Sequence, residues 1–216
     1  MGFYIFIIII ATFLFHLTVI NHKKSQSWIF FYVVFLLLLS FLGGLRDLKV
    51  GTDVLVYGVT YFENAKYTGN LFKLWSDVGG EWGFHTLMWI CSSISNDIHF
   101  ALFTEELIKI VLISLTALHF KDKINATLFM FAYLTFFYFL GFNQMRQMLA
   151  LSVVVFGLRY YFNEEHKKFL ALCLIATTIH TSAIFSLLIY LIQLLRCKSV
   201  TRSSGNFHCV QILEER

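Results

Sequence analysis

The sequence contains no proline, few charged residues and only four cysteines. Without proline, any break in a helix has to come from glycine, from charge or from side-chain hydrogen bonds. Charged residues make up 14% of the 216 positions, against about 25% in an ordinary soluble domain. This scarcity of charge excludes a soluble globule, an intrinsically disordered chain and a nucleic-acid-binding module.

Several common site signatures are missing as well. The cysteines form neither a CxxC motif nor a Cys/His pair at metal-ligand spacing, so we expect no disulfide framework and no metal site. No Walker loop, GxSxG, HExxH or dinucleotide fingerprint occurs, and we expect no cofactor. No lysine or arginine precedes Lys23, and no small-residue cleavage site follows the first apolar run. We therefore expect that run to be a retained membrane helix rather than a signal peptide.

Hydrophobic residues dominate what remains, at 58% of the chain, with 18% aromatic. They are collected in runs without a single charge, at 1–22, 25–45, 124–145 and 169–195. One core in a chain of this length cannot bury so many separate apolar runs. The composition therefore predicts an all-α, polytopic integral membrane protein.

A spanning helix needs about 20 mostly apolar residues. Five segments meet this requirement, at 3–20, 28–45, 98–119, 124–142 and 147–162. The run at 169–195 is interrupted by polar residues 180–182, so we expect two elements that meet at His180. The uncharged stretch 82–95 is short for a full span. Together these segments predict a bundle of about six or seven membrane segments.

Four short basic connections decide the orientation, because such connections favour the cytoplasmic side. They lie at 22–24, 121–123, 166–168 and 196–198. All four fall on one side if the stretch 82–95 does not cross, so we interpret it as a re-entrant or interfacial helix; a short crossing is the alternative. Residues 46–97 then form one large external loop, with four basic and six acidic residues. We expect an integral membrane domain at 1–198 and a flexible cytoplasmic tail at 199–216.

Polar clusters fall where external membrane boundaries are expected. They are Arg46, Gly51-Thr52-Asp53 with Tyr57, Glu81, Asn143-Gln144-Met145-Arg146-Gln147, and His180. Independent loops would not need a shared side, so the pattern favours one external site. We expect Arg46 and Arg146 to converge on a single pocket there, since guanidinium groups bind phosphate oxygens in a bidentate way. Anchoring of helix ends to lipid headgroups is the structural alternative for both arginines.

The other polar residues each have two interpretations. Asp53 and Glu81 are candidates for a general base on a sugar hydroxyl, or for its orientation, while Asp53 could equally cap a helix start. His180 is a candidate catalytic group, or a core histidine that its neighbouring hydroxyls satisfy. Glu105 and Lys109 have the i,i+4 spacing of a helical ion pair, which leaves Glu106 unpaired.

At these residues the sequence resembles the Wzy/EpsG-like family of bacterial polysaccharide polymerases. The resemblance is carried, in order, by Gly43-Gly44-Leu45-Arg46, Val50-Gly51-Thr52-Asp53, Tyr57, Glu81-x-Gly83-Phe84, Phe142-Asn143-Gln144-Met145-Arg146-Gln147-x-Leu149-Ala150 and His180-Thr181-Ser182-Ala183. The ordered set covers roughly residues 1–195. Members usually continue with further membrane helices after the His-Thr-Ser position, so the resemblance implies a shortened member of the family.

The resemblance implies a multi-pass enzyme of the bacterial inner membrane with glycosyltransferase-like activity. It would join undecaprenyl-diphosphate-linked repeat units at the outer face into O antigen, capsule or exopolysaccharide, with a chain-length regulator as a further partner. Arg46 and Arg146 would stabilise the diphosphate leaving group. Asp53 or Glu81 would deprotonate or position the acceptor hydroxyl, and His180 would assist.

Two other classes of function stay open from the sequence. A non-catalytic transport or flippase-type subunit of polysaccharide export would have intramembrane charges along a path, with Glu105, Glu106 and Arg159 more important than Arg146. A membrane acyltransferase acting on surface sugars would use similar arginine and histidine chemistry. Surface-polysaccharide ladders distinguish these classes.

Overall fold

The structure is a computed structural model that describes residues 2–78 and 80–192, and every regular element within these ranges is helical. The elements are α1 (Gly2–Asn21), α2 (Ser27–Gly44), a π-helical turn (Val54–Gly58), α3 (Val59–Thr68), α4 (Leu71–Val78), α5 (Trp82–Ile94), α6 (Ile98–His119), α7 (Ala126–Tyr133), a second π-helical turn (Leu134–Tyr138), α8 (Leu140–Asn143), α9 (Met145–Phe162), α10 (His166–Ile179) and a 3₁₀ turn (Thr181–Phe185). The predicted all-α class is confirmed. The predicted basic connection at 196–198 and the tail at 199–216 lie outside the described residues.

Three of the described helices are long and apolar enough to cross a membrane. They are Gly2–Asn21, Ser27–Gly44 and the continuous helix Ala126–Asn143. Large apolar side chains such as Phe3, Ile9 and Phe30 lie exposed on their outer faces, where lipid rather than water is the suitable solvent. The chain is therefore a membrane protein, and the larger number of six or seven segments stays a prediction.

Helix α6 lies at the centre of the bundle and belongs to both of its apolar cores. Its first half, with Ala101 and Leu102, packs with α3, α5 and α9. Its second half, with Ile110 and Ile113, packs with α2 and α7. The helix begins where the sequence predicts, because the Asp97 side chain accepts a hydrogen bond from the His99 backbone amide.

The region 46–97 contains three helices and a π-helical turn, where the sequence analysis expects a loop with one helix. Apolar residues at helical spacing explain the difference. Phe62 of α3 and Leu74 of α4 are fully buried in the second core, beside Phe84 and Met88 of α5. The region is thus an ordered part of the bundle, and it carries Asp53, Tyr57 and Glu81.

The three predicted basic connections that lie within the described residues share one end of the bundle. The Lys121 ammonium lies 3.2 Å from Nδ1 of His22, which joins the first connection to the second. The rings of Phe120 and Phe162 lie 5.6 Å apart, so the third connection, which follows α9, is at the same end. Which side of the membrane this end faces stays a prediction.

The polar clusters lie at the other end. Nδ1 of His99, at the start of α6, is 2.7 Å from the carbonyl oxygen of Gly44, at the end of α2. Gly51 lies directly against the carbonyl of Phe142, near the end of α8. The start of α5 packs against the end of α10. Sequence segments that are far apart therefore meet at a single end of the bundle.

Candidate functional site

Glu81 lies immediately before α5, and its carboxylate is shared between two partners. Oε2 forms an ion pair with Nη1 of Arg146, in the first turn of α9. Oε1 lies 2.6 Å from Nδ1 of His180, the residue after α10. The side chains of Glu81, Arg146 and His180 keep 14%, 12% and 22% of their surface exposed. The three residues therefore form a cluster that is shielded but still open to solvent.

The backbone around Glu81 explains how it reaches these partners. Gly80 and Glu81 both have positive φ, at 95° and 52°, and this turn directs the chain into α5. A left-handed conformation costs a non-glycine residue about 1–2 kcal/mol. Two residues later, Gly83 packs so closely on α10 that an added Cβ would lie 2.5 Å from Oγ1 of Thr178. This close approach brings the start of α5 to His180.

Arg146 also contacts aromatic rings. Its guanidinium carbon lies 3.6 Å from the centroid of the Tyr57 ring and 5.8 Å from that of Tyr61. Tyr57 is carried by the first π-helical turn, a rare local structure that is frequent at functional sites. Among the described residues, Nε of Arg146 has no hydrogen-bond partner although it is buried. The guanidinium is thus fixed by its contacts, and its Nε–H group donates no hydrogen bond within the described residues.

The motif Gly51-Thr52-Asp53 contacts the segment that carries Arg146. Gly51 has φ of +101°, and a Cβ there would overlap the carbonyl oxygen of Phe142, so only glycine fits. The Thr52 backbone amide donates to Oδ1 of Asn143 at 3.3 Å. Asp53 caps nothing in its own helix; its carboxyl faces the backbone amide of Met145, the first residue of α9, and this amide lowers the pKa of the carboxyl. The two motifs lie about 90 positions apart in the sequence but contact each other in the structure.

Asp53 belongs to the same electrostatic environment as the Glu81 cluster. Burial raises the pKa of the Asp53 carboxyl above its usual value, and the positive charge of Arg146 and the Met145 amide act against this. His180 also lowers that pKa and Glu81 raises it. Asp53 therefore lies within reach of all three, and we call Asp53, Tyr57, Glu81, Arg146 and His180 the open cluster.

Arg46 lies in a different cluster. Its Nη1 donates to the carbonyl of Gly43 at 2.6 Å and lies 3.4 Å from Oε1 of Glu106. Nζ of Lys109 lies 2.7 Å from Glu106 and 2.8 Å from Glu105. All four charged side chains are buried, and we call Arg46, Glu105, Glu106 and Lys109 the buried quartet.

The buried quartet corrects two expectations. The expectation that Glu106 is unpaired is wrong: it is paired with Lys109 one turn away and with Arg46, 60 positions earlier. The two arginines also do not share one pocket, because each is paired with its own glutamate. The clusters are linked through the segment 142–146, since the Arg46 guanidinium lies 4.4 Å above the ring of Phe142.

The remaining predicted residues surround Arg146. Asn143, Gln144 and Gln147 are exposed: Asn143 is the last residue of α8, Gln144 lies between α8 and α9, and Gln147 lies in the first turn of α9. Sequence reasoning missed Tyr61, although its position one turn after Tyr57 places both rings on the same helical face. No group of three or more His, Cys, Asp or Glu side chains suitable for a metal occurs within residues 2–78 and 80–192.

The open cluster combines a permanent cation, an imidazole and two carboxylates at one end of a membrane bundle. Such a set can bind an anionic group and accept a proton next to it. The sequence model of the EpsG family matches residues 28–209, a range that contains every residue of both clusters. No curated protein and no solved structure matches the chain.

Proposed function

The chain belongs to the EpsG family, and from this premise we propose that it is a membrane-embedded polysaccharide polymerase. It would join undecaprenyl-diphosphate-linked oligosaccharide repeat units at the outer face of the bacterial inner membrane. The family supports a membrane protein of polysaccharide biosynthesis. The observation that carries the finer proposal is the shared carboxylate of Glu81, which holds a guanidinium and an imidazole side by side.

Arg146 is the proposed binding group for the diphosphate of the donor. Its guanidinium is the cation of the open cluster and lies over the ring of Tyr57. Its Nε has no hydrogen-bond partner among the described residues. As the glycosidic bond to the diphosphate breaks, negative charge develops on the leaving oxygen. A fixed guanidinium stabilises that charge without reorganisation of water.

The acceptor sugar would bind on the opposite side of the same cluster. Asp53 or Glu81 would deprotonate or orient its hydroxyl, with assistance from His180. The exposed amides of Asn143, Gln144 and Gln147 offer hydrogen bonds to sugar hydroxyls, and Tyr57 offers an aromatic face. We propose an indirect contribution for Arg46, which supports the segment 142–146 through the ring of Phe142.

The test is genetic complementation in the organism that carries the gene. The gene is deleted, and surface-polysaccharide ladders are compared after return of the wild type, Arg146→Ala, Arg146→Lys or the control Lys168→Ala. Lys168 is an exposed cation at the opposite end of the bundle. We expect the wild type and Lys168→Ala to restore long chains, and both Arg146 variants to leave single repeat units. Long chains from Arg146→Ala would contradict the proposed site, and intact ladders in the deletion strain would contradict the proposed function.

The structure favours a polymerase over the transport subunit considered above. That alternative gives the main role to charges along a path through the membrane. Glu105 and Glu106 are instead fully buried and paired with Lys109. The acyltransferase alternative predicts normal chain length with altered sugar modification, so the same ladders distinguish it.

A further inference from the structure

The hydrogen bond between Glu81 and His180 determines which nitrogen of the imidazole carries a proton. Glu81 is ion-paired with Arg146 through its other oxygen, so it is a carboxylate and can only accept. Nδ1 of His180, at 2.6 Å from Oε1, must therefore be the donor. In the neutral ring, Nε2 is then the acceptor nitrogen.

We propose that His180 is the catalytic base and that Glu81 is a positioning residue which fixes the ring of His180 and the guanidinium of Arg146 together. This assignment rests on the proposed polymerase function. It replaces Asp53 and Glu81, the two candidates for the base, with His180 and gives Glu81 a different role.

Glu81 is poorly placed to be the base because both of its oxygens are engaged. One lies on Arg146 and the other on His180. A proton from a sugar hydroxyl would have to displace one of these contacts. Asp53 also has partners, since its carboxyl faces the backbone amide of Met145, at the start of α9, and the positive charge of Arg146. Its removal would leave that helix terminus without this partner.

His180 has the open edge that a base needs. Within residues 2–78 and 80–192, the hydrogen bond to the ring involves only Nδ1, and the side chain is 22% exposed. The residue has extended backbone between α10 and the following 3₁₀ turn, and its amide donates to Ala176 at 3.0 Å. The ring thus stands at a break in the helix. The charged groups that face it are Glu81, Asp53 and Arg146.

The proposed step transfers one proton and exchanges one bond at the anomeric carbon. Nε2 of His180 takes the proton of the acceptor hydroxyl, and the oxygen forms a bond to the anomeric carbon of the donor. The bond from that carbon to the diphosphate oxygen breaks, and its electron pair leaves with the polyprenyl diphosphate, which Arg146 binds. The imidazolium is stabilised by Glu81 and returns its proton to water. This division of roles between an imidazole and an orienting carboxylate is the one found in hydrolase triads.

The test uses the full chain, purified in detergent and supplied with the lipid-linked repeat unit, and compares His180→Asn, Glu81→Gln and Asp53→Asn. The amide of His180→Asn can still donate to Glu81, so this variant retains the fold contact but has no base. We expect kcat to fall on the order of 10²- to 10⁴-fold in His180→Asn. Added imidazole should restore part of the rate in His180→Asn and none in Arg146→Ala.

The pH dependence separates a positioning role from a structural one. The wild-type rate should depend on pH, because only an imidazole with a free Nε2 can accept the proton, and this dependence should disappear in His180→Asn. Glu81→Gln should keep the pH dependence at a lower kcat, because the base is still present but the ring loses its charged partner. Asp53→Asn should keep the pH dependence even if its kcat falls, because His180 is still present.

Full activity of His180→Asn, or loss of the pH dependence in Asp53→Asn alone, would overturn the assignment. A wild type that forms no glycosidic bond would instead overturn the proposed function, so the two failures are distinguishable. If His180→Asn does not elute as a folded species, His180→Gln gives the second measurement, since its amide occupies the Nε2 position without basicity.

Discussion

The buried quartet and the open cluster are built on the same plan. In each, Nη1 of an arginine is paired with a glutamate, and the guanidinium lies over an aromatic ring, Phe142 for Arg46 and Tyr57 for Arg146. They differ in exposure and in the second partner of the glutamate. Arg46 and Glu106 expose 3% and 0% of their side chains, and the second partner of Glu106 is Lys109. Arg146 and Glu81 are partly open, and the second partner of Glu81 is His180.

The exposure of each cluster and the second partner of its glutamate determine what the cluster can do chemically. The quartet contains two basic and two acidic side chains, all buried, and its second basic residue is a lysine between two glutamates. Such a closed group contributes to a specific fold. The open cluster has an imidazole in the corresponding place, and an imidazole can accept or donate a proton. The second partner of the glutamate, a lysine in one cluster and a histidine in the other, is thus the main chemical difference between the two clusters.

The largest expected effect comes from Glu106→Ala. It leaves Arg46 and Lys109 buried with a single remaining carboxylate, and loss of one partner from a buried ion pair costs about 3–5 kcal/mol. We expect the unfolding midpoint in detergent, followed by size-exclusion chromatography after heating, to fall sharply or the folded protein to be absent. Glu81→Ala is the matched variant in the open cluster and should lower the midpoint much less. Equal losses would remove the distinction between the clusters.

Gly43→Ala tests the packing around the quartet. An added Cβ would overlap the side chain of Glu106, so the carboxylate would have to move away from its cations. Overpacking of this kind costs about 1–3 kcal/mol. Gly58→Ala is the control beside the open cluster, since its Cβ would meet only ordinary contacts at 3.8 Å. A midpoint for Gly43→Ala no lower than that for Gly58→Ala would show that the quartet tolerates displacement.

Tyr57→Leu tests whether the ring under Arg146 matters for chemistry. A cation–π contact contributes about 0.5–2 kcal/mol, which corresponds to roughly a 2- to 30-fold lower rate if it holds the guanidinium for the reaction. Tyr57→Phe keeps the ring and should retain most of the activity. The measurement is the polymerisation rate with the purified protein, at saturating and at low donor. The same loss in both variants would assign the effect to the hydroxyl instead.

The smallest expected effect is that of Asn143→Ala, which removes the acceptor for the Thr52 amide. This hydrogen bond is exposed, and its net contribution to stability is about 0.5 kcal/mol. Asn143→Asp retains an acceptor oxygen and should match the wild type in its unfolding midpoint. A larger fall of the unfolding midpoint in Asn143→Ala than in Gly43→Ala would mean that the hydrogen bond between Thr52 and Asn143 contributes more to stability than the packing around the quartet.

The sequence predicts the long elements well because their signals are local. Helix α6 has the predicted bounds 98–119 because Asp97 caps it, and the break at His180 follows from consecutive polar residues inside an apolar run. Helices α3 and α4 were not expected, since a few buried residues such as Phe62 and Leu74 do not stand out between exposed polar ones. The π-helical turns leave no separate signal, because each is only five residues long and is too short to show a period of its own.

The sequence predicts which residues belong to the site, but it does not predict which of them pair with each other. A shared membrane side brings Glu81, Arg146 and His180 to one end, and the sequence supports that much. Which carboxylate each arginine selects depends on the relative positions of helices 60 or more positions apart. Glu106 therefore had a partner that no local spacing could reveal.

The separation of Glu81 from its partners along the chain affects biogenesis. Arg146 and His180 leave the ribosome 65 and 99 residues after Glu81. Until the helix that ends before His180 has been inserted, the carboxylate lacks one of its two partners, because Arg146 leaves the ribosome earlier than His180. The open cluster is therefore complete only when insertion of α10 is complete.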